Sequence, residues 1–330
     1  MAGWLFSYPS FTAEVMPDMI SVFVIDPPER LDPPTDTSLA IMRESLARGH
    51  RVFLCTLSGL RLENGRPAAR VRPVRFPPGQ ELFEAEEAQD LDLRAIDILH
   101  MRKDPPVDEA YVHATYILDR LPPGVLQVNP ARALRNHCEK LIPLHFPGLM
   151  PDTQVTRSPA DLAAFLERHS RIVIKPLDDC SGRGVLALSR EDADCRDRFE
   201  EATLGGLRFV QAQPFLPEIE KGDKRVLLLG GELLGWVARV PADGEFRSNI
   251  NAGGRCVPCE LNDSDRAICA RLGPWLVREG IHLAGVDIVG RKVLEVNITS
   301  PSCLREINQL TGEELERRVL DYLEARCGKA

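Results

Sequence analysis

No apolar run in this chain approaches the roughly 20 residues that a spanning helix needs, so no membrane segment is expected. Basic charge is in deficit as well: 41 Lys and Arg stand against 49 Asp and Glu, a net charge of -8. That balance argues against a nucleic-acid surface as the main partner. The opening Met1-Ala-Gly-Trp-Leu-Phe-Ser7 has neither the basic segment nor the long apolar core of a secretory signal, and a cytoplasmic location is expected. Internal repeats and low-complexity tracts are absent, and no G-x-x-x-x-G-K-[ST] phosphate loop occurs. Cys256-Val-Pro-Cys259 has no second C-x-x-C to complete a zinc site, and the nine cysteines are odd in number and scattered. Most are expected to be buried free thiols.

What remains is an ordinary globular composition, 44% hydrophobic and 27% charged over 330 residues, enough for two or three packed units. Residues 1–18 show no periodicity and are set aside as an N-terminal extension. Ile20–Ile25 reads as a buried strand, Leu39–Arg48 as a helix with Gly49 after it, and Arg51–Cys55 as a second strand. A strand, helix, strand order favours a parallel sheet. Leu60–Phe76 reads as a hairpin about Asn64-Gly65, and Ile96–Met101 as a strand delivering Arg102 to a strand end, where ligands of open α/β sheets gather. A helix over Tyr111–Leu121 and a strand over Val125–Val128 complete this unit. Ala131–Leu144 then reads as a helix carrying Lys140, and the first boundary falls near residue 130.

Arg171–Pro176 reads as a strand ending in Lys175, joined to Val185–Leu188 by a loop that holds Asp178, Gly182 and Gly184. Two readings stand for that loop: a solvated hairpin tip, or a cover for phosphates that offers backbone N–H groups while Lys175 supplies charge. Phe209–Gln213 is a strand reaching Pro214-Phe215-Leu216-Pro217, apolar enough to hold a flat ring. Val226–Leu229 and Gly235–Val240 pair about Gly230-Gly231, bringing Asp223, Arg225 and Arg239 to one end. Asn249 and Arg255 belong to a glycine-rich loop. Asp263–Gly280 reads as a long helix interrupted near Gly273-Pro274, and Glu313–Ala325 as a closing helix.

Val286–Val289 and Val293–Ile298 read as a hairpin with Gly290-Arg291-Lys292 as its loop. Glu295 and Asn297 share a face, and a three-residue loop sets Asp287 opposite Glu295, whereas a two-residue turn breaks that convergence. Two readings stand here too. The carboxylates sit at an exposed rim, or they surround a hard cation such as Mg²⁺ that offsets their burial.

In order, these parts resemble the ATP-grasp ligases, and Met101-Arg-Lys-Asp-Pro-Pro106, Ala114-Thr-Tyr-Ile-Leu118, Gly222-Asp-Lys-Arg-Val226, Ala252-Gly-Gly-Arg255 and Glu295-Val-Asn-Ile-Thr-Ser-Pro301 resemble bacterial glutathione synthetase motifs. The resemblance covers about residues 21–325. It implies a mixed α/β ATP-grasp fold behind an N-terminal parallel-sheet domain, divided as 19–130, 131–216 and 217–330. It also implies an ATP-dependent ligation of γ-glutamylcysteine to glycine through an acyl phosphate. By the same resemblance Asp287, Glu295 and Asn297 bind Mg²⁺ or Mn²⁺, while Lys140, Lys175, Asp178, Gly182, Gly184, Gln213, Phe215, Leu216 and Asp223 hold ATP. Arg225, Arg239 and Arg255 steady the reacting groups, Arg102, Asn249 and Ser300 line the dipeptide site, and the assembly is a homotetramer. The loop departs from the family in carrying Asp179, Cys180 and Arg183, and the linker in carrying Pro214 and Phe215. An ATP-grasp ligase for another carboxylate and amine is the alternative.

Overall fold

Val22, Phe23 and Val24 are inaccessible to solvent because β1 (Ile20–Val24) runs through the middle of a sheet. The computed structural model describes residues 18–179 and 182–327. The extension expected over 1–18 lies, apart from Asp18, outside the described residues, as does Cys180. Helix α1 (Thr37–Ala47) starts two residues earlier than expected, because the Asp36 carboxylate caps it by accepting from the Leu39 N–H at 3.0 Å. β2 (Arg51–Cys55) pairs parallel with β1. The hairpin about Asn64-Gly65 forms as β3 (Leu60–Glu63) and β4 (Arg66–Arg75), and β4 extends the sheet antiparallel to β2. Two short strands that alternation does not reveal, β5 (Glu84–Ala85) and β6 (Gln89–Asp92), add to β4. β7 (Ile98–Met101) pairs parallel with β1, and after α2 (Glu109–Leu118), β8 (Leu126–Val128) pairs parallel with β7.

The helix expected over Ala131–Leu144 stops early. α3 covers only Ala131–Asn136, and Lys140 lies on the irregular stretch that follows. A second sheet is antiparallel, ordered β11-β10-β12-β9, from β9 (Gln154–Thr156), β10 (Arg171–Pro176), β11 (Leu186–Ser189) and β12 (Val210–Pro214). Helices α4 (Pro159–His169), capped by Ser158, and α5 (Cys195–Thr203) cover it. α5 has no counterpart in the sequence reading, since its Arg, Asp and Glu content hides the buried Phe199 and Ala202. This unit owns a separate small core built on Leu162, Phe165, Ile172, Ile174 and Val210.

A third, antiparallel sheet is ordered β15-β14-β13-β16-β17, from β13 (Asp223–Leu229), β14 (Glu232–Val240), β15 (Arg255–Val257), β16 (Leu283–Val289) and β17 (Lys292–Asn297). Helix α6 (Asp263–Arg278) runs between β15 and β16 without the expected break. Pro274 removes one backbone donor, but the buried Leu272, Trp275 and Leu276 around it hold the helix against the sheet. α7 (Leu304–Thr311), which the sequence reading missed, and α8 (Leu315–Glu324) close the chain. The two larger cores each mix residues of the first sheet with residues of the third, so these two sheets form one body.

Candidate active site

Four charged side chains occupy the middle of the third sheet. The register sets Arg225 beside Asp287 and Asp223 beside Arg239, and all four are at most 5% exposed. Arg225 grips Asp287 with two parallel bonds, Nε to Oδ1 at 2.5 Å and Nη2 to Oδ2 at 2.9 Å. Arg239 donates from Nε to Asp223 Oδ1 at 2.8 Å, and its Nη2 reaches both Asp223 and, at 2.8 Å, Asp287 Oδ2. Burial works to raise the Asp287 pKa, but the Arg225 and Arg239 guanidinium groups outweigh it and hold this carboxyl well below the usual range. Gly285 makes room for the pair: a Cβ there would lie 3.1 Å from Arg225 Cδ.

The hairpin reaches the expected convergence by a different route. Its turn has two residues, Gly290 and Arg291, with Val289 opposite Lys292 and Ile288 opposite Val293. A β-bulge at Leu294 then inserts one residue, and Asp287 stands opposite Glu295 after all. The expectation of a three-residue loop is therefore corrected. The bulge also turns two successive side chains, Leu294 and Glu295, toward one cavity. Burial, then the Asp287 charge, pushes Glu295 above its ordinary pKa against the pull of Lys140 and Lys175.

Leu294 and Glu295 help line a cavity of about 820 Å³ between the second and third sheets. Phe215, Leu216, Val173, Val185 and Phe246 make its apolar walls. Lys140, Lys175, Gln213 and Asp223 supply its polar groups. Lys175 Nζ donates to Gln213 Oε1 at 3.1 Å, and burial lowers its pKa. Lys140 Nζ donates to the Asp179 carbonyl, and its own carbonyl accepts from Gln211 Nε2 at 2.8 Å, which fixes a lysine that no helix carries. Gly182 stands at the mouth with φ +74°, and a Cβ there would lie 2.9 Å from Asn249 Oδ1.

A second cavity, of about 1000 Å³, lies against the first sheet. It gathers Arg102, Asn249, Ser300, Arg225, Arg239 and Asn297 with Arg30, Thr37, Glu139, Cys303 and Glu306, which the sequence reading had not singled out. Arg102 is held by bonds from Nε to Ser38 Oγ and from Nη2 to the Pro301 carbonyl, both 3.0 Å. Arg239, Asn249 and Glu295 line both cavities, which therefore meet at the carboxylate hairpin. The half-buried Glu139 and the buried Asn129 pin that hairpin. Glu139 accepts from the N–H groups of Ile298 and Thr299 at 2.6 and 2.8 Å, and the Asn129 side chain bonds the backbone of Leu283 and Ile298.

Residues 19–135 match the family described as prokaryotic glutathione synthetase, N-terminal domain, and residues 139–312 match prokaryotic glutathione synthetase, ATP-grasp domain. The chain belongs to the prokaryotic glutathione synthetases. The glutathione synthetase of Gloeobacter violaceus is 40% identical over 309 residues, 92% of this chain and 95% of the relative. That of Escherichia coli K12 is 39% identical over 306 residues, 92% and 97%. Among solved structures, the D-cycloserine synthetase DcsG (TM-score 0.64, 16% identity, 93% and 99% coverage) and the ATP-grasp ligase PsnB (0.61, 18%, 94% and 99%) share the fold. This member of the glutathione synthetases is accordingly an ATP-dependent carboxylate–amine ligase with a mixed α/β ATP-grasp fold, as its sequence motifs implied.

Not every residue proposed for this ligase's site is brought to it. Arg255 on β15 is exposed and lines neither cavity. Asp178 is exposed on the far side of the loop, and Gly184 packs against Pro176 outside both cavities. The C-x-x-C pair is not a unit either: the Cys256 thiol bonds Cys303, and this bond, with Arg225 and Arg239 nearby, brings Cys303 down to about 6 against its burial. Among the described residues no three His, Cys, Asp or Glu side chains form a metal cluster. Asp287, Glu295 and Asn297 offer two carboxylates and an amide, a hard oxygen set that fits a divalent cation sharing its remaining positions with phosphate.

Proposed function

We propose that this ligase joins γ-glutamylcysteine to glycine at the junction of its two cavities, with ATP in the first and the dipeptide in the second. The observation that carries the reading is that Glu295, Arg239 and Asn249 belong to both cavities, so a phosphoryl group can pass between them without leaving the charged sheet. Phe215 and Leu216 take the adenine and Asp223 the ribose side. Lys140 and Lys175 meet the phosphates, Lys140 exchanging the Asp179 carbonyl for a phosphate oxygen. The loop bearing Gly182 covers them and excludes water. Asp287, Glu295 and Asn297 hold Mg²⁺ or Mn²⁺, which when bound neutralises charge on the phosphate oxygens.

Arg102, Asn249 and Ser300 hold the dipeptide so that its cysteinyl carboxylate faces the γ-phosphorus. Attack there forms the acyl phosphate and releases ADP; the glycine amine then attacks the acyl carbon and phosphate leaves. Arg225 and Arg239 are oriented before reaction by Asp287 and Asp223, so they meet the developing negative charge without rearranging. Arg255, Asp178 and Gly184 have no part in this proposal. The three sheets support functional units at 19–130, 131–216 and 217–330, the middle one closing over ATP. Family resemblance supports a homotetramer, and the lack of any described helix long and apolar enough to cross a membrane fits the cytoplasmic reading.

The test is ADP release from the purified full chain, stripped of metal and resupplied with Mg²⁺ or Mn²⁺. Release should require γ-glutamylcysteine and glycine together. Release with a different carboxylate and amine, and not with this pair, would overturn the substrate assignment, and light scattering checks the tetramer.

A further inference from the structure

Most charged groups facing the second cavity already have protein partners. Arg102 bonds Ser38 and Pro301, Arg225 and Arg239 bond the two buried aspartates, Glu139 takes the Ile298 and Thr299 amides, and Asp36 caps α1. Glu306 on α7 differs. It is only 8% exposed, yet neither carboxyl oxygen has a hydrogen-bond partner among the described residues. Thr37, which opens α1, is 2% exposed and lines the same cavity, and its Oγ1 is also unpartnered. α1 and α7 pack side by side.

A buried carboxyl without a partner costs free energy that a native protein normally avoids. Burial, then the neighbouring Cys303, pushes Glu306 up to about 7, against a smaller opposing pull from Arg225 and Arg305. Two unpartnered carboxyl oxygens and one unpartnered hydroxyl oxygen belong to residues that line a single cavity. An alkylammonium has three N–H donors and no acceptor, so it complements this set, whereas a carboxylate or phosphate meets repulsion.

We infer that Glu306, with Thr37, is the ammonium-recognition subsite of the second cavity, receiving the –NH₃⁺ group of an amino-acid substrate. The inference rests on the substrate reading above. Within that reading the ammonium has two sources, the α-ammonium of the γ-glutamyl residue and the ammonium of glycine. In either case Glu306 fixes specificity: it selects the substrate that carries a charged amine and leaves the phosphoryl transfer to the hairpin side.

Steady-state kinetics on the full chain decides it. Wild-type ADP release that needs both substrates carries the substrate reading, and only then do the variants judge Glu306, so the two failures are distinguishable. Glu306→Gln keeps the shape and removes the charge; it should raise the KM of one substrate by about ten- to a hundredfold while kcat falls less than threefold. Glu306→Asp should recover part of that loss. A rise for γ-glutamylcysteine assigns the dipeptide ammonium, and a rise for glycine assigns the acceptor. Both KM values staying within twofold, or kcat alone falling, would overturn the subsite. The wild-type enzyme gives an arm that needs no variant: glutarylcysteine, which lacks the dipeptide's ammonium, and glycolate, which lacks glycine's, should not both compete as strongly as the parent substrates. Equal competition by both would overturn the inference as well.

Discussion

The two cavities share three residues and differ in how they are built. In the nucleotide-side cavity Lys140, Lys175 and Gln213 are tied to protein partners, and the apolar walls come from short contiguous segments such as Pro214–Leu216. In the acid-side cavity the lining comes from residues as far apart as Arg30 and Glu306, and it keeps buried acceptors unsatisfied. A site for a constant ligand can be nearly complete before that ligand arrives. A site that chooses among small zwitterions keeps unpaired groups, because discrimination comes from polar atoms that only the right substrate satisfies.

The junction should be most sensitive. Glu295→Ala removes a carboxylate that faces both cavities, and turnover should fall by about a thousandfold or more. ADP release at saturating Mg²⁺ checks this, and near-normal rates would sink the metal assignment. Arg239→Met comes next, acting on the fold as well as on the chemistry. It leaves Asp223 and loses one of the two arginines on Asp287, and breaking such buried pairs costs about 3–5 kcal/mol. Urea titration should show this loss, and an unchanged midpoint would mean that the quartet contributes little to folding.

On the acid side, Glu306 makes the apo protein less stable as pH rises. Its folded carboxyl keeps the proton up to about 7, while the unfolded chain releases it near 4.5. The native state therefore binds more protons between those values, and stability falls through that window. Glu306→Gln should remove roughly 2–3 kcal/mol of that slope. Parallel pH profiles for variant and wild type would show that Glu306 is not held in an unfavourable environment. On the nucleotide side, Leu294→Ala should raise the ATP KM by about tenfold, the value of a few buried methyl groups, with little change in kcat. No change would mean that the bulge serves only to align Asp287 with Glu295.

Much of the nucleotide side was legible in the sequence. Lys175 and the Asp287, Glu295, Asn297 set lie on strands whose alternation is plain, and the Phe215-Leu216 linker directly follows one. The bulge at Leu294 was not legible, since an inserted residue leaves no mark on an apolar run; a wrong loop length and an unforeseen bulge gave the same pairing. The acid side depends on long-range closure. In the sequence reading Thr37 precedes a helix expected from Leu39, Glu139 falls inside a helix expected over Ala131–Leu144 and Glu306 belongs to no expected element, and only the packing of α1, α7 and the third sheet gathers them at one cavity. Lys140 lines the first cavity, but from beyond the end of a helix that stops at Asn136 rather than from within the helix expected to reach Leu144.

Arg255 gives the smallest effect and the sharpest check on reading chemistry from motifs. It lies in Ala252-Gly-Gly-Arg255, a segment that resembles the family's, and by residue type it belongs with Arg225 and Arg239. The register places it opposite Val240 on the edge strand β15, exposed, whereas Arg225 and Arg239 sit on the central pair β13 and β14. An exposed guanidinium is screened by water and holds no reacting group in a low dielectric. Arg255→Ala should therefore leave kcat and all three KM values within about twofold, because surface substitutions of this kind change free energies by only about 0.5 kcal/mol. A loss of a hundredfold in kcat would show that β15 moves inward when substrates bind, and that the catalytic set extends beyond the two buried arginines.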